Sequence, residues 1–174
     1  MANTVAEIQR FAAKFERITI KPIDGYGGKG IFFYTQGKEP DALLNKATHD
    51  GAHWVIAQEY LPAAKQGDKR ILLVNGEPVP YALARFAGEG DFRGNLAKGG
   101  SSKGVPLSER DRWICSQVAP ELKKRGILFS GLDVIGDWLS EVNVTSPTGI
   151  RELEEEFGLN IAGLLFDSIE ETLA

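Results

Sequence analysis

Cysteine occurs once, at position 115, so neither an intrachain disulfide nor a thiolate cluster for zinc can form. That usage fits a reducing cytoplasm. The only histidines are His49 and His53, and neither has a serine or cysteine partner at a nucleophile-like position, so a hydrolase triad has no support. Long apolar runs are missing too, and the start Met-Ala-Asn-Thr-Val-Ala-Glu has no basic stretch leading into one. Neither export nor membrane insertion is expected. Excess positive charge is also absent: 20 Lys and Arg stand against 24 Asp and Glu, and a net charge of −4 argues against a nucleic-acid partner. What is present is enough apolar material to bury a core, 43% of 174 residues, consistent with one domain or two small intertwined subdomains.

The residue patterns predict a mixed α/β chain. Thr4-Val-Ala-Glu7 is a capping-box sequence, and Val5, Ile8, Phe11, Ala12 and Phe15 follow at helical spacing, which predicts a helix to about Glu16. Strands are expected at Arg17–Lys21, Ile31–Tyr34, Trp54–Gln58, Arg70–Val74 and Tyr81–Phe86, with a turn at Asn75-Gly76 between the last two and a helix over Asp41–His49. Ala87 to Gly104 shows little periodicity and reads as a loop. Ser108–Arg125 should be helical, Ile127–Ile135 and Leu139–Val144 should form a hairpin, and two helices divided near Gly158 should follow.

Gly25-x-Gly27-x-x-Gly30 satisfies a phosphate-loop pattern that is weak by itself. A dinucleotide fingerprint opens a helix, but Ile31-Phe-Phe-Tyr34 reads as a strand; a Walker loop needs Ser or Thr after Gly-Lys, but Gly30 follows Lys29. What remains is a strand–loop–strand flap able to cover phosphates, with Lys21 as a nearby positive charge, or a plain glycine-rich hairpin with no ligand.

Glu141-Val-Asn143 places two oxygen-bearing side chains on one face of a strand, a donor set suited to magnesium. Asp133 precedes them across a turn near Gly136-Asp137. It shares their face if the loop has an odd number of residues, such as Gly136 to Trp138, and a two-residue turn without a bulge would separate them. The alternative is an ordinary amphipathic hairpin with a polar outer face. Because Leu132, Val134 and Ile135 surround it with apolar material, the Asp133 carboxylate needs a partner. Arg70 and Arg85 fall at strand ends, where a guanidinium can bind phosphate or carboxylate bidentately. Cys115, beside Trp113 and Ile114, reads as a small buried hydrophobe.

In order, Ile20-Lys-Pro-Ile-Asp-Gly-Tyr-Gly-Gly28, Ala57-Gln-Glu-Tyr-Leu-Pro62, Gly67-Asp-Lys-Arg70, Arg93-Gly-Asn-Leu-Ala97, Gly131-Leu-Asp133 and Glu141-Val-Asn-Val-Thr-Ser-Pro147 resemble the ATP-grasp portion of bacterial glutathione synthetase over nearly the whole chain. The resemblance implies an ATP-grasp fold, α/β (α+β), with two small subdomains of mainly antiparallel sheets flanked by helices. These would be a flap subdomain over about 1–60, and a larger one over about 61–174 with a mobile lid at 86–104 and a metal hairpin at 127–145. It implies ATP-dependent joining of γ-glutamylcysteine to glycine through an acyl phosphate.

By matching position, Lys21 would contact ATP phosphate under the loop Gly25, Gly27 and Gly28. Gln58, Glu59, Tyr60 and Leu61 would line the adenine, with Glu59 or Asp68 near the ribose. Asp133, Glu141 and Asn143 would hold magnesium, or manganese in its place. Arg70, Arg85, Arg93 and Asn95 would serve the reaction, and Asn143, Thr145 and Ser146 would lie beside the peptide. Family members begin with a further domain and a linker ahead of the matched portion, so a separately supplied N-terminal half or a homo-oligomer is an expected partner, and the competing expectations are MgATP binding without complete ligation or the activity of another ATP-grasp peptide ligase.

Overall fold

A computed structural model describes residues 1–25, 28–86 and 101–174 and divides the chain into two compact units, Met1–Pro62 and Ala63–Ala174. The first unit is a three-stranded antiparallel sheet covered on one face by two helices. Helix α1 (Val5–Ala12) starts where expected: the Thr4 side chain accepts from Glu7 N–H while the Glu7 carboxylate reaches back to the N-cap backbone. It ends earlier than Glu16, because Lys14 and Phe15 donate to the carbonyls of Phe11 and Ala12, three residues back, and so tighten the last turn. Strand β1 (Ile18–Pro22) lies between β2 (Phe32–Tyr34) and β3 (Val55–Glu59), with α2 (Ala42–Thr48) between them in sequence. Alternation along β1 sends Ile18 and Ile20 into the core with Ile8, Ala12, Tyr34, Leu44 and Val55.

After a short 3₁₀ helix at Pro62–Gln66, the second unit is a five-stranded antiparallel sheet in the order β6-β5-β4-β7-β8. Its strands are β4 (Asp68–Val74), β5 (Glu77–Phe86), β6 (Ser101–Pro106), β7 (Phe129–Ile135) and β8 (Trp138–Asn143); its helices are α3 (Glu109–Lys124), α4 (Ile150–Phe157) and α5 (Ile161–Leu173). Asn75 and Gly76 both have positive φ, which suits the two-residue turn joining β4 to β5.

The two faces of this sheet are occupied differently. Ile71, Leu73, Leu132 and Val134 point to α3, where they pack with Ile114, Cys115 and Leu122. Leu72, Val74 and Leu83 point the other way, under Leu153 of α4 and Ile161 of α5, both fully buried and each contributing roughly 1.5–3 kcal/mol. Asp68 and Arg70 share the parity of Leu72, so the face that is apolar under α4 and α5 becomes charged toward the start of β4.

One expectation needs correcting here. The loop expected over Ala87–Gly104, and the lid over 86–104, overlap strands at both ends: Phe86 closes β5, and Ser101–Gly104 belong to β6. The remainder of that segment, with Arg93 and Asn95, lies outside the described residues. Ser-Ser-Lys-Gly carries no hydrophobic alternation, because β6 is an edge strand held by backbone pairing to β5 and by the Gly104 N–H donating to Glu156 Oε2 at 2.7 Å. A Cβ at Gly104 would stand 2.0 Å from the Phe157 ring, so a glycine that looked like a loop signal is instead a packing requirement.

Candidate functional site

The charged end of the five-stranded sheet is assembled by register. Asp133 of β7 is the direct partner of Glu141 on one side and of Arg70 on the other; Gly131 is paired with Asn143, and Asp68 with Arg85. Directly opposed residues of an antiparallel pair share a face, so these groups project from one side of the sheet. The expected three-residue loop is not what places Asp133 beside Glu141. Ile135 pairs with Trp138 across a two-residue turn, Gly136-Asp137, in which Gly136 has φ 58°. Such a turn alone would oppose Asp133 to Ser140. A bulge between Asp133 and Val134 skips Ser140 and restores Glu141 to the shared face, and the Ser140 hydroxyl donates to the Asp133 carbonyl at 3.0 Å.

The partner that Asp133 required is a pair of arginines. Arg70 donates from Nε to Oδ1 at 2.6 Å and from Nη2 to Oδ2 at 2.8 Å, and Arg85 Nη2 lies 2.9 Å from Oδ2. Arg85 in turn grips Asp68 with Nε to Oδ1 at 2.9 Å and Nη2 to Oδ2. Asp68, Arg85, Asp133 and Arg70 are thus a continuous charge network, largely withdrawn from solvent. Burial pushes the Asp133 carboxyl upward, but hydrogen bonds and charge from Arg70 and Arg85 outweigh it and hold the group below the ordinary aspartate value. At Asp68 burial wins, and the group stays above that value despite Arg85. Burial opposes the Arg85 charge, but Asp68 and Asp133 more than offset it, so Arg85 is fixed in its charged form.

Three residues that sequence reasoning gave no role help to build this arrangement. Gly131 lies beneath the Arg70 side chain; a Cβ there would stand 2.9 Å from Arg70 Cδ and 2.8 Å from Pro147 Cβ. Thr148 offers its carbonyl and hydroxyl to Arg70 Nη1, both at 3.4 Å. Ser140 supplies the bulge. Only the Gly131-Leu-Asp133 phrase carried any signal for the first.

The remaining candidates fall as follows. Glu141 is exposed and Asn143 half-buried, while Thr145 and Ser146 continue the chain beyond β8 and are exposed. In the first unit Lys21 pairs with Ile56 and Gln58 with Thr19, so Lys21 and Gln58 share the face of the small sheet opposite the one that carries Ile18 and Ile20. Glu59 pairs with Ile18 and falls on the other face from Gln58. Tyr60 stands edge-to-face with Phe33 at 4.9 Å, and Leu61 follows it, half-buried. Gly25 and Gly28 flank Gly27, which lies outside the described residues.

The donor set fits a small divalent cation. Of the roughly four acceptor positions on the Asp133 carboxylate, the arginine contacts occupy one on Oδ1 and two on Oδ2, so among the described residues Oδ1 keeps one lone pair. Glu141 and the Asn143 carbonyl add oxygens on the same face. The Asn143 Nδ2 atom is buried without a hydrogen-bond partner among the described residues, a cost of about 1–3 kcal/mol that an oxygen acceptor from a ligand would relieve. Among those residues no cluster of three or more His, Cys, Asp or Glu offers an all-protein cage. Two carboxylates and an amide suit a cation that also takes oxygens from phosphate and water.

Residues 1–158 match the family described as prokaryotic glutathione synthetase, ATP-grasp domain. The chain is 54% identical over 172 residues to the glutathione synthetase of Xanthomonas campestris pv. campestris, covering 98% of this chain and 54% of that protein. It is 52% identical over 169 residues to the glutathione synthetase of Pseudomonas aeruginosa, covering 96% and 53%. The chain therefore spans about half the length of the curated relatives it matches. Among solved structures, that of the D-cycloserine synthetase DcsG aligns with a TM-score of 0.70 at 16% identity, covering 99% of this chain and 62% of that one, a likeness of fold.

Proposed function

This chain belongs to the ATP-grasp domain family of prokaryotic glutathione synthetases, and on that premise we propose that it binds MgATP and serves the ATP-dependent joining of γ-glutamylcysteine to glycine in the cytoplasm. The observation that carries the reading is the oxygen-bearing face of Asp133, Glu141 and Asn143 next to two fixed guanidiniums. In this reading the γ-phosphoryl group of ATP passes to the dipeptide carboxylate, and the amine of glycine then displaces phosphate from the acyl phosphate. Asp133, Glu141 and Asn143 would hold magnesium, or manganese, whose charge when bound offsets that of the β- and γ-phosphates.

This chain's own residues do the remainder. Arg70 and Arg85 present planar donors to the phosphoryl group or the substrate carboxylate and stabilise charge that develops during transfer, a role backed by their rigid hold on Asp133 and Asp68. Lys21, with Gly25, Gly27 and Gly28, is assigned to phosphate, and Gln58, Glu59, Tyr60 and Leu61 to adenine. Thr145 and Ser146 are assigned to the peptide, and Arg93 and Asn95 enter with it. These assignments follow from matching positions within the family.

A second reading is favoured by one observation, coverage of only half the relatives' length: the chain holds MgATP and needs a separately supplied N-terminal half, or another copy, to ligate. ADP release measured with γ-glutamylcysteine and glycine, with and without that half, separates the two. Dipeptide-dependent ADP from the chain alone supports the first; ADP only in the mixture supports the second. Its absence from both mixtures refutes the ligase reading.

A further inference from the structure

Resting on the MgATP reading, we infer that Ser140 is a positioning residue for the cation: its hydroxyl locks the register of β8 that brings Glu141 and Asn143 beside Asp133. Two registers are open to this hairpin, and they share one turn. Gly136 has φ 58°, and a Cβ on it would stand 3.1 Å from that of Ala63; Ile135 with Trp138, and Val134 with Leu139, pair as a two-residue turn dictates. Beyond Leu139 the registers part. A plain ladder would oppose Asp133 to Ser140 and Gly131 to Val142, and would turn Glu141 and Asn143 to the face that carries Leu132 and Val134. The structure instead takes up Ser140 as the extra residue of a bulge, and opposes Asp133 to Glu141 and Gly131 to Asn143.

Burial does not choose between the two. Strand β8 ends the five-stranded sheet and is paired by β7 alone among the described residues. Its Leu139 and Val142 are 38% and 40% exposed, and Glu141 is exposed on the other face. A strand that buries neither face is weakly held in register. Charge works against the bulge, because it sets Glu141 directly across from Asp133, and like charges so opposed destabilise a strand pair. The contact that favours the observed register comes from the extra residue itself. Ser140 Oγ donates to the Asp133 carbonyl at 3.0 Å and ties the bulge to the residue whose carboxylate belongs to the cation set. A cation that takes oxygens from Asp133, Glu141 and Asn143 binds the bulged register only, so hydroxyl and cation favour the same state and each strengthens the other.

The test is a magnesium titration of the chain at a fixed concentration of a non-hydrolysable ATP analogue, with analogue binding as the readout. Ser140→Ala should raise the magnesium concentration at half-saturation roughly 3- to 10-fold with an unchanged plateau, since excess cation draws the chain back into the bulged register. Ser140→Thr keeps the hydroxyl and should stay within about twofold of wild type. Deletion of Ser140 removes the extra residue, so that a plain ladder itself opposes Asp133 to Glu141, and should shift half-saturation less than Ser140→Ala does. A role in packing alone would make the deletion the more damaging change. An unchanged value in Ser140→Ala, or a value in Ser140→Thr or the deletion as high as in Ser140→Ala, would overturn the inference. Should the deletion not fold, Ser140→Thr decides by itself.

If wild type binds the analogue equally with and without magnesium, the MgATP reading fails, and the register is then decided without ligand. Cross-strand nuclear Overhauser contacts should pair Gly131 with Asn143 in wild type and in Ser140→Thr, and a second set pairing Gly131 with Val142 should appear in Ser140→Ala. An unchanged set of contacts in Ser140→Ala contradicts the lock.

Discussion

Asp133 is a buried acid whose charge is maintained by neighbours, and that balance has a sign. Its folded pKa lies below the unfolded value because Arg70 and Arg85 outweigh burial, so its contribution is complete above the unfolded pKa and is lost as pH falls through the folded one. Asp111 behaves likewise: burial raises it, but Lys69 Nζ at 2.6 Å and the Ser108 cap bring it below its ordinary value. Asp68 has the opposite sign: burial raises its carboxyl, and its contribution to stability is lost as pH rises through that raised pKa. Urea denaturation should therefore show stability falling below about pH 4. Asp133→Asn should be destabilised at pH 7 by about 3 kcal/mol, since Arg70 loses its carboxylate, and should show a shallower acid slope than wild type. Equal slopes would contradict the assignment.

The elements show where sequence reasoning succeeds and where it stops. The capping box at Thr4 and the Asn75-Gly76 turn are local chemistry, and the structure contains both. That Asp133 needed a partner was legible from Leu132, Val134 and Ile135. Which partner was not, because Arg70 and Arg85 arrive through the β4–β7 and β4–β5 registers. The bulge at Ser140 was equally hidden, since a Gly-Asp turn and a three-residue loop leave similar traces in sequence. Edge strand β6 escaped because its hold comes from Glu156 and Phe157, about fifty residues away in sequence. Lys21 stands out by its charge next to the glycine loop and Gln58 only by resemblance, and their common face appears once β1 and β3 are in register.

Two outcomes belong to this scale. Gly131→Ala should push Arg70 off Asp133 and cost roughly 1–3 kcal/mol in thermal denaturation. Cys115, buried against the sheet with its thiol pushed up to about 11 by burial and the Asp111 charge, should resist a thiol reagent at pH 8 until the chain is unfolded. Labelling at the rate of an exposed thiol would contradict the packing of α3.

For the whole molecule, the issue is how charge is balanced when a nucleotide arrives. Asp68 and Asp133 are already neutralised by Arg85 and Arg70, which leaves Glu141 as the additional acid of this face. Magnesium alone gains little from such a surface, whereas a triphosphate can draw on the arginines while its metal takes oxygens from Asp133, Glu141 and Asn143. Metal and nucleotide should bind together. The most direct test of the account is calorimetric titration of the chain with a non-hydrolysable ATP analogue, with magnesium and with chelator, for wild type and Glu141→Gln. Wild type should bind at least about tenfold more tightly with magnesium, and Glu141→Gln should lose most of that difference. Equal affinity with and without magnesium in wild type, or an undiminished magnesium effect in Glu141→Gln, would contradict it.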